Sequence, residues 1–265
     1  MTDETQDPDA AEGVDADEPA TVSRRKALLG LGGAGVLTVG GVYAARSLAG
    51  DSDDDPSLAG TYTSADGESE HLGVPYAGTP IMGSLDAPLR LFYWSDYQCP
   101  YCKQFEEGTL PKLARDYVDP GKLAVAFLEF PLFGADSRTA AELSKCAWRT
   151  VADEDPNAWG RWHGHVFDQQ GGKDSGWAST ANLYEYTNGV EGVSASALRT
   201  CMREHGDAVA DLVDRDTAVA IEDLGLRRAT PTFAISKPSS GKWLNVPGAQ
   251  PYGVFEKALK RVDDA

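Results

Sequence analysis

The chain has 265 residues, of which 41 are acidic and 24 are Lys or Arg, and its formal net charge is −17 at pH 7. This length allows one large domain or two small ones. The acid excess argues against nucleic-acid binding, because phosphate backbones are recognised by basic patches. An acidic surface of this kind indicates a halophilic, high-salt setting, where salt screens self-repulsion, with an ordinary acidic protein as the alternative.

The first fifty residues have the composition of an export signal. Residues 1–22 contain eight acids and no base, so we expect them to be disordered. Arg24 and Arg25 precede an uncharged stretch, 27–45, that includes six glycines. This pattern resembles a twin-arginine signal, although no Phe follows the arginines. An uncleaved membrane anchor is the alternative, since nineteen residues can just span a bilayer.

Either interpretation places the folded part outside the cytoplasm, released or attached to the membrane. Residues rich in Asp, Ser and Gly follow the signal and indicate a flexible tether. The sequence therefore predicts four parts: a disordered acidic segment 1–22, a signal or anchor 23–49, a tether 50–70 and a folded domain 71–265.

The folded part begins with a strand–helix–strand pattern. An apolar and aromatic run over 89–94 predicts the first strand, and a helix-like run follows from Pro100 to Tyr117. Gly108 and Pro111 should break that helix near Thr109. The nearly all-apolar run 123–130 predicts a second strand, buried on both faces. A strand, a helix and a strand within about forty residues indicate a right-handed βαβ unit.

From residue 137 to residue 224 the pattern is helical, and a ββα pattern then completes the chain. Turn residues at 237–241 separate two strands, 232–236 and 242–246, which should pair as a hairpin. An amphipathic helix over 252–262 follows. The sequence therefore predicts an α/β fold, βαβ plus ββα around a central sheet, with a helical insert at about 137–224. The insert's predicted helices are 137–152, 157–169, 179–188, 194–204 and 207–224.

Cys99-Pro100-Tyr101-Cys102 directly follows the first strand and opens the first helix. Unpaired N–H groups and the macrodipole at a helix N-terminus favour a thiolate, the reactive form of cysteine. Zinc sites use the same spacing but need four ligands. No second such pair occurs in the chain, and His163 and His165 lack the usual ligand spacing. The motif therefore predicts redox chemistry through a Cys99–Cys102 disulfide, with no metal and no other cofactor.

The strand-like run after Ala229 begins with Thr230-Pro231-Thr232-Phe233. Proline cannot donate to a sheet, so it belongs at a strand entrance or edge. Together with 80–88 and 95–102, this run resembles the DsbA-like branch of the thioredoxin-fold thiol:disulfide oxidoreductases, over about residues 78–262. The resemblance implies a cis Thr230–Pro231 bond beside the catalytic sulfurs; a trans proline that only starts a strand is the alternative.

The resemblance also implies the roles of the site residues. Cys99 would be the nucleophile, more exposed and more acidic than Cys102, and Cys102 would resolve the mixed disulfide. Pro100 and Tyr101 would face the substrate and add no charge, so a milder oxidant than the strongest relatives is expected. The Thr230 backbone would pair with an extended substrate chain.

One position departs from the family pattern. Relatives often have a buried carboxylate six residues before the nucleophile, where this chain has Tyr93. Asp96 and Glu129 are candidates to replace that acid. The competing interpretation is that Asp96 caps a turn and that Glu129 is a surface residue at a strand end.

The other two cysteines, Cys146 and Cys201, both lie in the insert on apolar helical faces. An even cysteine count in an exported protein favours a structural disulfide between them. Two buried free thiols are the alternative, because sequence alone cannot determine their separation. We interpret His163, His165 and the insert's tryptophans as packing residues rather than cofactor ligands.

The leading hypothesis for function is a monomeric extracytoplasmic thiol:disulfide oxidoreductase that exchanges disulfides with exported proteins and is reset by a redox partner. Oxidase is the first choice of direction, with isomerase or reductase second. Against an isomerase, residues 50–85 leave little room for a dimerisation domain. An electron-relay module serving one partner protein, and a secreted binding domain with a structural disulfide, are hypotheses from other classes.

Overall fold

The computed structural model describes residues 61–65, 70–173 and 175–264. The segments predicted as disordered (1–22) and as signal or anchor (23–49) lie outside the described residues. None of the helices within the described residues is both long and apolar enough to cross a bilayer.

A six-stranded mixed sheet organises the described residues. The strands are β1 (Tyr62–Thr63), β2 (Glu70–His71), β3 (Val74–Pro75), β4 (Ile81–Met82), β5 (Leu89–Ser95), β6 (Leu123–Glu129), β7 (Thr232–Lys237) and β8 (Lys242–Pro247). The order in the central sheet is β1-β4-β6-β5-β7-β8, and β2 and β3 form a separate hairpin. In the central sheet only β5 and β6 run parallel, and the other neighbours are antiparallel.

Helices cover both faces of the sheet. Every residue of β5 and β6 is buried, which confirms the prediction for β6. The parallel β5–β6 pair and the antiparallel β7–β8 hairpin confirm the βαβ and ββα halves. The helices are α1 (Pro100–Gly108), α2 (Leu110–Leu113), α3 (Ala135–Val151), α4 (Pro156–Asp168), α5 (Thr180–Thr187), α6 (Ala195–Ala218) and α7 (Tyr252–Asp263), with π-helical segments at Ala114–Val118 and Val219–Asp223.

The break predicted near Thr109 is present. Thr109 ends α1 and precedes α2, where Pro111 occupies one of the first helical positions. Proline is tolerated there because the first N–H groups of a helix have no intrahelical partner.

The prediction of two helices, 194–204 and 207–224, is wrong. One helix, α6, runs from Ala195 to Ala218 through Gly206, and a π-helical segment continues it to Asp223. Glycine in a helix interior costs only about 1 kcal/mol, and the buried side chains of Cys201 and Val209 on either side of it keep the helix docked.

The prediction that residues 50–70 form a flexible tether is wrong for residues 61–65, which the structure describes. Tyr62 and Thr63 pair with Met82 and Ile81 and form an edge of the central sheet. Tyr62 is buried, and a Cβ on Gly160 of α4 would lie 2.3 Å from its ring. The close approach requires glycine at position 160. Because Tyr62 is paired in the sheet and buried, the folded part includes residues before position 71. The rest of this segment, apart from residues 61–65 and Glu70, lies outside the described residues.

Candidate active site

Cys99 and Cys102 lie where β5 ends and α1 begins. Cys99 occupies the N-cap position with an extended backbone, and Cys102 lies in the first turn, its N–H bonded to the Cys99 carbonyl at 3.1 Å. Both cysteines are free thiols. Pro100 and Tyr101 are exposed between them, Tyr101 at 63%. Both cysteines are buried, so Pro100 and Tyr101 are the exposed part of the motif.

The cis-proline loop lies directly against Cys99. The Thr230–Pro231 peptide bond is cis, as the resemblance implied. The Cys99 sulfur donates to the Thr230 carbonyl at 3.2 Å, and the Pro231 carbonyl accepts from the Gly248 N–H at 2.9 Å. The fold thus brings together all four residues for which sequence analysis predicted a catalytic role: Cys99, Cys102, Thr230 and Pro231.

The two thiols differ strongly in acidity. Hydrogen bonding from the Cys102 thiol lowers the pKa of Cys99 to about 6, and Thr230 and backbone N–H groups at the helix start act in the same direction. Burial, followed by the interactions with Cys99, raises the pKa of Cys102 well above its ordinary value. At neutral pH the nucleophilic thiolate therefore resides on Cys99.

Cys99 is the more exposed thiol, as expected, but the difference in exposure is very small. Cys99 is only 1% exposed, against 0% for Cys102. Hydrogen bonds to Cys99, rather than contact with water, account for its acidity.

Gln170, which sequence analysis missed, holds the loop before the motif. Its side-chain amide follows α4 and donates to the carbonyls of Tyr97, at 2.5 Å, and Cys99, at 3.1 Å. The helical insert therefore contacts the backbone of the nucleophile. A lone Gln beyond a helix end carries no sequence signal for this role.

Asp96 has the turn-capping role that sequence analysis offered as one interpretation. Its Oδ1 accepts from the Gln98 N–H at 2.8 Å and from the Ser137 hydroxyl at 2.7 Å. Its Oδ2 accepts from the N–H groups of Leu132, at 2.6 Å, and Phe133, at 3.2 Å. The carboxylate thus joins the loop before Cys99 to the loop after β6.

Glu129 is not the surface residue that one interpretation proposed. It is 4% exposed, and burial raises the pKa of its carboxyl group to about 8. Next to it, Lys145 and Asp216 form a buried ion pair at 2.5 Å, and Asp216 also accepts from the Glu129 N–H at 3.0 Å. This buried cluster joins β6 to α3 and α6 of the insert.

Tyr93 fills the position where relatives often have an acid, and burial, followed by the charge of the Glu106 carboxylate, raises the pKa of its hydroxyl well above the ordinary value. Glu106 of α1 is 3% exposed and its Oε1 lies 3.0 Å from His163 Nε2. Glu106 follows Cys102 by four residues, which places both on one helical face. The four-residue spacing from Cys102 was the sequence signal that could have identified Glu106. His163 therefore joins α4 to the helix of the cysteines, beyond the packing role predicted for it.

Cys146 and Cys201 form a disulfide between α3 and α6, with a Cα–Cα distance of 5.8 Å. This confirms the predicted bridge and excludes the alternative of two free thiols. Within the described residues, no three His, Cys, Asp or Glu side chains are grouped so that they could hold a metal ion.

Comparison with known proteins agrees with this geometry. A family model described as Thioredoxin matches residues 76–242. Disulfide bond formation protein D of Bacillus subtilis is 27% identical over 162 residues, which are 60% of this chain and 68% of that protein.

Two solved structures have a similar fold. The first is oxidised BdbD from Bacillus subtilis, with a TM-score of 0.60 and 23% identity over 71% of this chain and 94% of the other. The second is alpha-DsbA1 of Wolbachia pipientis, with a TM-score of 0.57 and 22% identity over 69% and 90% of the two chains.

Proposed function

This chain belongs to the Thioredoxin family and is a DsbA-like thiol:disulfide oxidoreductase, and from that premise we propose that it introduces disulfides into exported proteins. Cys99 would be the nucleophile and Cys102 the resolving thiol. Thr230, Pro231, Pro100 and Tyr101 would form the surface that receives the client chain. The Cys99–Cys102 disulfide would be the only redox centre, with no added cofactor.

One observation carries the proposal: Cys99 is the N-cap residue of α1, and hydrogen bonding from the Cys102 thiol and from backbone N–H groups at the helix start lowers its pKa to about 6. A stabilised Cys99 thiolate favours the reduced form of the pair, which makes the disulfide oxidising. It is also a good leaving group when a second client thiol attacks the mixed disulfide. Both effects favour the oxidase direction.

The reaction transfers two electrons from the client to the enzyme. A client thiolate attacks Cys99, forms a mixed disulfide and releases the Cys102 thiolate. A second client thiolate then attacks the client sulfur of that bond, which forms the client disulfide and releases Cys99 as a thiolate. A redox partner outside this chain would reoxidise the dithiol, and we propose that the domain works outside the cytoplasm, after the segment 23–49.

The test of direction is the reduction potential of the Cys99–Cys102 pair, measured by equilibration with glutathione. An oxidase should have a potential clearly less negative than that of thioredoxin, about −270 mV, and more negative than that of DsbA, about −120 mV. A potential near that of thioredoxin would instead favour a reductase. Slow oxidation of a reduced client, with fast reshuffling of a mispaired one, would favour an isomerase.

The roles of the two cysteines are tested by trapping. Cys102→Ser should accumulate mixed disulfides with client proteins, because the resolving thiol is missing. Cys99→Ser is the matched control and should trap few or none. Equal trapping by the two variants would contradict the assignment.

A further inference from the structure

Two exposed arginines lie just before the cis-proline loop. Arg227, Arg228 and Ala229 are all exposed, and they lead directly into Thr230. The Thr230 carbonyl accepts from the Cys99 sulfur at 3.2 Å. Consecutive Cα atoms are about 3.8 Å apart, so the Arg228 Cα lies within about 7.6 Å of the Thr230 Cα. The segment that contacts the nucleophile therefore also carries two guanidinium groups.

This segment has a defined backbone. Gly225 follows the π-helical segment with a φ of 62°, a left-handed conformation that glycine adopts readily. The side chain of Leu226 is buried and anchors the next position. The Ala229 N–H donates to the Arg227 carbonyl at 2.8 Å, so Arg228 is the central residue of a three-residue turn. We call residues 227–229 the arginine turn, an anchored element beside the loop of the nucleophile.

Among the described residues, no ion pair neutralises either arginine of this turn. The preceding acid, Asp223, lies against the β2–β3 hairpin, where a Cβ on Gly73 would be 3.1 Å from its Oδ2. Lys103, the cation next to Cys102, is instead paired with Glu107 at 3.6 Å. The charge of the arginine turn is therefore available to a bound molecule.

The charge at this part of the surface is opposite to that of the whole chain, whose formal net charge is −17. Three segments lie here, 100–103, 226–231 and 247–251, and hydrogen bonds at Thr230 and Pro231 connect them through the nucleophile and the cis-proline loop. Together they contain three Lys or Arg and no Asp or Glu. An acidic client segment would be repelled by the chain as a whole and attracted at this site.

We propose that Arg227 and Arg228 determine client specificity by selecting segments that carry Asp or Glu within a few residues of the reacting cysteine. The inference rests on the proposed function, because it requires a client chain extended along Thr230. An extended chain rises about 3.3 Å per residue, so client residues about two to four positions from the cysteine come level with the arginine turn. Guanidinium groups suit this role, since their N–H donors match the geometry of a carboxylate.

The arginine turn also favours the reactive form of such a client. An acidic neighbour raises the pKa of the client cysteine and leaves less thiolate to attack the enzyme. A guanidinium group that pairs with this neighbour removes that effect in the complex. The chemical step is unchanged: the client thiolate attacks Cys99, and Cys102 leaves as a thiolate.

Three two-cysteine peptides, identical except that the residues flanking the cysteines are Asp, Ser or Lys, test this selection. The oxidised chain is mixed with each reduced peptide, and the peptide disulfide is separated chromatographically after an acid quench. Dividing each rate by the thiolate fraction, from the measured thiol pKa of the free peptide, removes the intrinsic difference in reactivity. Measurements in about 0.1 M and 1 M salt, where the Debye length is about 10 Å and 3 Å, isolate charge attraction. Circular dichroism verifies the fold at both concentrations.

In low salt the wild type should oxidise the Asp peptide at least about fivefold faster than the Lys peptide, and salt should reduce this ratio. Replacing Arg227 and Arg228 together with Ala should remove the preference and leave the rate for the Ser peptide within about twofold. Replacing both with Glu should reverse the preference. Replacing both with Lys should preserve it, because the charge is retained.

The matched control combines Arg149→Ala with Arg203→Ala, which removes two exposed arginines close in sequence to the Cys146–Cys201 disulfide and changes the net charge equally. This control should keep the preference for the Asp peptide. Loss of the preference in the control would overturn the inference, as would equal rates for the three peptides in the wild type or equal slowing of all three in the alanine variant.

Failure of the proposed function has a different signature. The wild-type chain would then oxidise none of the three peptides, the Ser peptide included, and the inference about the arginine turn would be overturned with it. Oxidation of all three peptides at similar rates would overturn the inference alone.

Discussion

Hydrogen bonds make Cys99 and Cys102 chemically unequal although both sulfurs are buried. The Cys99 thiolate can receive hydrogen bonds from the Cys102 thiol and from backbone N–H groups at the start of α1, whereas Cys102 mainly experiences burial. The residue types alone would make the two cysteines equivalent. Because they lie three residues apart at a helix start, Cys99 becomes the nucleophile and Cys102 the resolving thiol.

We expect the Cys99 thiol to titrate near pH 6, and Cys102 well above its ordinary pKa. Thiolate absorbance of Cys102→Ser and Cys99→Ser variants measures the two values individually. Cys102→Ala should raise the pKa of Cys99 relative to Cys102→Ser, because serine keeps a hydrogen-bond donor and alanine does not. Equal and unperturbed titrations of the two cysteines would contradict the assignment of Cys99.

The lowered pKa of Cys99 also links pH to the stability of the reduced protein. Its folded pKa, about 6, lies below the ordinary value of 9.0, so the contribution to stability is complete above pH 9 and is lost as pH falls toward 6. Relative to the oxidised protein, the reduced protein should therefore gain stability between pH 6 and pH 9. Chemical denaturation of both forms at several pH values measures this difference.

At the scale of elements, a disulfide bond links helices α3 and α6 of the helical insert. Cys146 of α3 and Cys201 of α6 are 55 residues apart in sequence. In the chain-entropy account, a closed loop of this length stabilises the folded state by about 4 kcal/mol, and measured values are often lower. Neither cysteine lies in the CPYC motif, so we assign the bond a structural role.

Replacing both Cys146 and Cys201 with Ser should lower the melting temperature and leave disulfide exchange at the CPYC motif intact. Thermal unfolding and client oxidation, measured on the same sample, check the two parts of this prediction. Ser144→Ala is a useful comparison on α3, since it changes one buried polar residue without opening the loop. Loss of exchange activity in a folded double variant would show that this bond takes part in turnover.

At the scale of the whole molecule, buried charges connect the sheet to the insert. Lys145 and Asp216 are paired at 2.5 Å with side chains only 2% exposed, and Glu129 lies beside them at the end of β6. Trp94 of β5 donates to the Asp216 carbonyl at 2.9 Å. Removing one partner of such a pair leaves an uncompensated buried charge, which is strongly destabilising.

Glu129 should make stability fall as pH rises. Its pKa is about 8 in the folded state against an ordinary value of 4.5, so between these values the folded state holds a proton that the unfolded chain has released. The free energy of unfolding then decreases by at most about 1.4 kcal/mol per pH unit in this window. Below pH 4.5 the contribution is complete, and above pH 8 no further loss occurs.

Glu129→Gln should flatten this dependence between pH 4.5 and pH 8. Denaturant unfolding of the wild type and the variant across this range is the measurement. Glu154→Gln is the matched control, because Glu154 is an exposed glutamate in the same part of the chain. An unchanged slope in Glu129→Gln would mean that the Glu129 carboxylate is already ionised in the folded protein.

The sequence by itself determined the redox motif, the order of the main elements and the resemblance on Thr230 and Pro231, because these depend on local spacing. Strand–CPYC–helix order is a property of neighbours along the chain, and so is the apolar run of β6. Local spacing also led to the wrong prediction of a helix break at Gly206. There the long-range packing of α6 outweighs the small free-energy cost of glycine in a helix. Tyr62 was predicted to lie in the tether, but contacts with distant residues such as Met82 and Gly160 hold it in the fold.

Only the tertiary structure decided which polar groups meet. Glu106, His163 and Tyr97 are separated by up to 66 residues, yet form one hydrogen-bonded line. Gln170 reaches the Cys99 carbonyl across 71 residues. A charged or amide side chain has the same sequence signature on a surface and in a core. Burial and partners, which depend on long-range packing, determine whether it is solvated or acts on the cysteines.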